Sequence, residues 1–122
     1  MMDQPAIVEL VEAVRNFLEQ RALPELKGHT RFHARVAANA LGIVARELNQ
    51  GPQAFRREEA RLTELTGGQG SLEELNRLLC SMIRDGRIAL DDPRLAAHLE
   101  ANATDKIAID QPGYGERMKA AT

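Results

Sequence analysis

The stretch that decides the fold is Arg31–Asn49, RFHARVAANALGIVARELN. It holds no proline, and Gly42 is its only glycine. Phe32, Val36, Ala40 and Ile43 form one apolar stripe at helical spacing, and Ala37, Leu41, Val44 and Leu48 form a second beside it. A helix apolar over so wide an arc is expected to be buried among several neighbours, as the central member of its fold. A third stripe, Arg31, Arg35, Asn39, Gly42 and Arg46, carries three guanidinium groups, an amide and a missing side chain.

Working outward, helix signals recur on both sides. A first helix is expected from about Pro5 to about Arg21. Asp3 would cap it, and Ile7, Leu10, Val11, Val14, Phe17 and Leu18 would form its apolar face. Leu23-Pro24 breaks that pattern. Gly51-Pro52 is expected to end the second helix and start a third, to about Thr66. The third is charge-rich and expected to be peripheral and the most mobile. Ser71-Leu72-Glu73-Glu74 is a capping box that opens a fourth helix, and Gly86 is its expected C′ residue. Asp92-Pro93 opens the fifth, which runs to about Ile109 with Leu95, Leu99, Ala103 and Ile107 as anchors. The expected fold is all-α, an up-and-down helical bundle of about five helices around a central buried second helix. Residues 1–111 would form one domain and residues 112–122 a flexible tail.

Bulk properties narrow the function classes. The 122 residues suffice for one ordinary domain. Sixteen basic residues against eighteen acidic ones give a net charge of −2, without the basic excess of a nucleic-acid or anionic-membrane binder. With no Trp, one Tyr and three Phe, a platform for stacking bases is not expected. No apolar run approaches the ~20 residues of a membrane span. The acids within MMDQPAIVELVEAVRNFLEQ argue against a signal peptide. A single Cys80 excludes a disulfide framework within the chain. A cytoplasmic location is expected.

Four groups of residues bear on chemistry. His29 and His33, four apart on one helical face, have the spacing of two metal ligands, with His98 a conceivable third. Surface or capping histidines are the competing reading, and the arginines nearby would repel a cation. Cys80, among Leu79 and Met82, reads as a buried structural thiol. Gly67-Gly68-Gln69-Gly70 lacks the Gly-Lys-Ser/Thr ending of a phosphate loop and reads as a turn. Arg31, Arg35, Asn39 and Arg46 suit either an acidic partner or an internal clamp onto Asp105 and Asp110, or onto Glu9 and Glu12. Near the end, Asp105, Lys106, Asp110 and Tyr114 read either as an amphipathic helix end or as a docking edge.

Several of these segments carry a resemblance. Phe32-His33-Ala34-Arg35-Val36-Ala37-Ala38-Asn39-Ala40-Leu41 with Val44-Ala45-Arg46-Glu47-Leu48 resembles the core segment of a family of small bacterial proteins known as a domain of unknown function. So do Leu75-Asn76, Leu79-Cys80 and Ile83-Arg84, and Asp105-Lys106-Ile107-Ala108-Ile109-Asp110-Gln111-Pro112. Gly113, between that proline and Tyr114, departs from the pattern. Genes of this family tend to lie beside an aminoglycoside-phosphotransferase-like kinase and an acyl-CoA-dehydrogenase-like enzyme. The family is similar to the small accessory subunit of a kinase for 4-hydroxyacyl-CoA thioesters, as in levulinate breakdown. The resemblance implies a non-catalytic partner of that kinase, with magnesium and ATP held by the kinase and no cofactor or catalytic residue in this chain. A small metal-binding protein or enzyme using His29, His33 and His98 is one alternative. A structural homodimer without a kinase partner is another.

Overall fold

A computed structural model describes residues 6–114. All regular structure among the described residues is helical, so the all-α expectation holds. Four α-helices lie among the described residues: α1 (Ile7–Phe17), α2 (Gly28–Thr66), α3 (Leu72–Arg84) and α4 (Pro93–Asp110). A π-helical turn, Leu18–Ala22, and a 3-10 turn, Leu23–Glu25, follow α1. In a regular α-helix the Pro24 ring would collide with the carbonyl four residues back. The wider turn just before it relieves that collision. The expected cap, Asp3, lies outside the described residues; Ala6 precedes the helix without a side-chain cap.

The expected helix count is corrected from five to four, because α2 runs for 39 residues straight through Gly51-Pro52. Pro52 has no N–H to give to the Leu48 carbonyl, so one hydrogen bond is missing there. The usual second obstacle is a clash between the proline ring and the Cβ of the preceding residue. That residue is Gly51, which has no Cβ, and the helix continues.

The chain divides into two units, Met1–Gly51 and Pro52–Thr122. In the first, α1 and the N-terminal half of α2 run antiparallel: Leu23 and Pro24 lie near Arg31, and Arg15 lies over Gly42. The residues that α2 buries here are small: Ala38, Gly42 and Ala45. Its large apolar residues, expected to be central and buried, are open instead. Phe32 is 62 % exposed, and Val36, Val44 and Leu48 are exposed as well. Small inward residues let α1 lie close, and the bulky ones are left facing outward.

The second unit holds the main core. Leu62, Leu75, Leu79, Ile88 and Leu95 are buried together, with Leu72, Met82 and Ile83 packed against them. Leu62 is 0 % exposed and Leu65 is buried too. The segment expected to be peripheral and mobile is therefore at the centre of this unit. Its charges misled the reading, since they sit on the flank while its two leucines point inward.

Local signals around α3 and α4 are borne out. Glu74 N–H donates to Ser71 Oγ, and Ser71 N–H donates to Glu74, both at 3.1 Å. That bond from the Ser71 backbone, with the one from its side chain, holds the Glu74 carboxyl below its ordinary pKa. At the other end of α3, Arg87 N–H donates to the Met82 carbonyl and Gly86 N–H to that of Ile83. This is a Schellman closure, with Gly86 at positive φ as its C′ residue. Asp92 accepts from the Arg94 N–H at 2.9 Å and caps α4. Its inward set differs from the expected Leu95, Leu99, Ala103 and Ile107. Leu95, His98 and Ile109 are buried, while Leu99 is exposed.

Candidate functional site

In the first unit the polar residues gather on one face. Arg31 Nη1 donates to the Leu23 carbonyl at 2.7 Å, which ties the start of α2 to the turn after α1. Arg31, Arg35 and Asn39, at successive helical turns, line a cleft of about 310 Å³ with Glu19, Leu23, Pro24 and Ala38. Arg35 and Asn39 are exposed. Neither has a hydrogen-bond or ion-pair partner among the described residues. Arg15 bridges to Glu19 at 3.2 Å and to Glu12 at 3.6 Å. A Cβ on Gly42 would lie 3.3 Å from Arg46 Nη1 and 3.5 Å from the Arg15 guanidinium. The gap in the arginine stripe is therefore the seat of two guanidinium groups. Asn39, though flanked by alanines, stands in solvent because Ala38 takes the inward position.

The opposite face of this unit is apolar. With 3.6 residues per turn, Ile7, Leu10, Val14 and Phe17 lie on the side of α1 away from Glu12, Arg15 and Glu19. Ala37, Val44 and Leu48 lie on the side of α2 away from Arg31, Arg35, Asn39 and Arg46. The charged residues of the two helices share one cleft, so their apolar stripes share the other side. Ile7, Leu10, Val14, Phe17, Val44 and Leu48 are 40–59 % exposed.

In the second unit a polar cluster joins α2 to α3 and α4. Arg61 Nε donates to His98 Nδ1 at 3.1 Å, and its Nη2 to Asn102 Oδ1 at 2.7 Å. Asn102 Nδ2 donates to Glu58 Oε2 at 3.3 Å and lies 3.3 Å from His98 Nε2. Asn76 Nδ2 donates to the Leu72 carbonyl at 3.0 Å and to Glu58 at 3.5 Å. Arg57 pairs with Asp105 at 3.3 Å. His98 is only 1 % exposed. A guanidinium can only donate, so Nδ1 accepts and the ring is neutral with its hydrogen on Nε2. Burial pushes the His98 pKa down, and the Arg61 charge lowers it further against the opposing pull of Glu58.

This cluster was missed in the sequence because Arg61 and His98 stand 37 residues apart. The available signal was the series His98, Asn102, Asp105 at helical spacing, matched by Arg57, Glu58 and Arg61. Asp105 is held by Arg57, and Asn76 by Glu58 and its own helix. Two residues of the resemblance thus have structural partners. Lys106, Asp110 and Tyr114 are exposed.

The histidine reading fares differently at each position. His29 and His33 are exposed, His33 with its ring edge-on to Phe32 at 5.5 Å. His98 has its Nδ1 occupied by Arg61. No group of three or more His, Cys, Asp or Glu among the described residues is placed to hold a metal ion. Cys80, for which burial was expected, is exposed. It falls one position past Leu79, outside the arc that α3 buries. No helix among the described residues is long and apolar enough to cross a membrane.

Comparison with known proteins adds one finding. No curated protein and no solved structure matches the chain. A family model described as a domain of unknown function, DUF6285, matches residues 24–114, which span the whole of α2, α3 and α4 and begin after α1. The match covers well over half of the sequence, and the chain belongs to the DUF6285 family.

Proposed function

We infer that this chain is a non-catalytic binding subunit. Its partner is an aminoglycoside-phosphotransferase-like kinase that phosphorylates hydroxyacyl-CoA thioesters. The observation that carries the binding reading is the first unit, where Ile7, Leu10, Val14, Phe17, Phe32 and Val36 and two unpartnered polar side chains, Arg35 and Asn39, are exposed. The kinase comes from the sequence resemblance. ATP and magnesium belong to the kinase in this account, and no residue here takes part in phosphoryl transfer.

The charged face suits a kinase that presents carboxylates. Arg31 and Arg35 offer forked donors at successive turns, and Asn39 adds an amide that both donates and accepts. Such an edge sets specificity and speeds encounter more than it adds raw affinity. Lys106, Asp110 and Tyr114 form a second exposed edge on the other unit.

Co-purification tests this reading. The kinase encoded beside the gene is expected to be retained by the wild-type chain. Arg35→Glu should weaken that retention about tenfold or more, with unchanged helicity, since the side chain has no partner to lose. A kinase that never co-purifies, or one held equally by Arg35→Glu, would sink this assignment.

A further inference from the structure

We propose that the apolar face of the first unit is the seat of a second copy of this chain, so that two α1–α2 hairpins close face to face into a four-helix bundle. The argument begins with what the hairpin lacks. Among the described residues of the first unit, Leu23 is the only large apolar side chain that is fully buried; Ala38 and Ala45 are the other buried apolar ones. Two helices meeting through alanine and glycine exclude little water, and paired helices of this length are marginal without further packing.

The open face supplies what is missing. Ile7, Leu10, Val14 and Phe17 on α1 and Val44 and Leu48 on α2 are 40–59 % exposed and lie on one side. Together they present on the order of 600 Å² of apolar surface, close to the ~800 Å² that each partner contributes to a standard interface. That is at the upper end of the largest apolar patch an ordinary monomer carries, the size at which such patches often serve a contact.

Two observations favour a copy over an unlike protein. A two-fold axis sets this face against itself, so any charge on it would meet its own kind. The eight residues of the face, these six with Ala37 and Leu41, carry none. The shape also fits, because two flat antiparallel helix pairs stacked on their apolar sides make an ordinary four-helix bundle. The arginine face then remains outside, available to the kinase.

Sedimentation equilibrium of the chain alone tests this without the kinase. The expected mass is twice 13.5 kDa at micromolar concentration. Val14→Glu buries a carboxylate in the bundle and should raise the dissociation constant by about a hundredfold or more. If that variant loses helicity, Leu10→Ala keeps the helix and should weaken the dimer about tenfold. A monomer throughout the micromolar range overturns the proposal. So does a dimer indifferent to both variants. Equally fatal is a monomer whose α1 amides resist hydrogen exchange, because the face would then be covered by the rest of the chain. A dimer that never binds the kinase would leave this inference standing and remove the proposed function.

Discussion

His98 is the residue whose chemistry the fold constrains most. It is almost fully enclosed, its Nδ1 accepts from Arg61, and a second ring proton would point at a guanidinium. The folded chain therefore binds that proton more weakly than the unfolded chain, whose histidine titrates near pH 6.5. Stability from this group is complete above about pH 6.5 and falls as the pH drops below it. Urea unfolding at pH 7.5 and 5.5 is expected to show the loss, and in His98→Gln the difference between the two should shrink. An unchanged pH dependence in the variant would place the effect elsewhere. His98→Leu also costs stability at neutral pH, by about 1–3 kcal/mol, because Arg61 Nε loses a buried acceptor. None of this was readable from a lone histidine on an apolar face. Its partner is on another helix, and periodicity reports only on residues within one.

Among the elements, helix ends were the most legible feature and helix faces the least. The Ser71–Glu74 box, the Gly86 closure and the Asp92-Pro93 start are made by residues within a few positions of each other. Gly51-Pro52 is also local, yet it deceived. The rule that proline ends a helix rests on a lost hydrogen bond, a clash with the carbonyl four residues back and a clash with the residue before it, and Gly51, lacking a Cβ, eases the last of these. Pro52→Ala restores the hydrogen bond to the Leu48 carbonyl and is expected to raise stability by about 1–3 kcal/mol. Calorimetry would read this as a higher Tm, and a lower one would mean that Pro52 serves the fold in a way the helix alone does not explain. Faces failed for a different reason. Hydrophobic size marked Phe32, Val36 and Leu48 as interior, but α1 approaches through Ala38, Gly42 and Ala45. How close a neighbour must come is not written in the apolar pattern of one helix.

At the scale of the whole molecule the two units differ in kind. Pro52–Thr122 has a leucine-rich core with a polar cluster fastened to its side. The described residues of the first unit bury mainly small side chains and leave many large ones exposed, as on a surface made to be covered. The all-α class was legible because every segment repeats at helical spacing and none alternates. The open face was not, since the same stripe describes a buried helix and one awaiting a partner. Two surfaces on one small unit, apolar and arginine-lined, would serve the proposed second copy and the proposed kinase separately. The most direct test of the proposed role is the rate of hydroxyacyl-CoA phosphorylation by the proposed partner kinase, titrated with this chain at saturating ATP and magnesium. The account predicts little activity without the chain, a rise that saturates at a fixed stoichiometry, and no ATP turnover by the chain alone. A kinase fully active by itself and unmoved by the addition would contradict it.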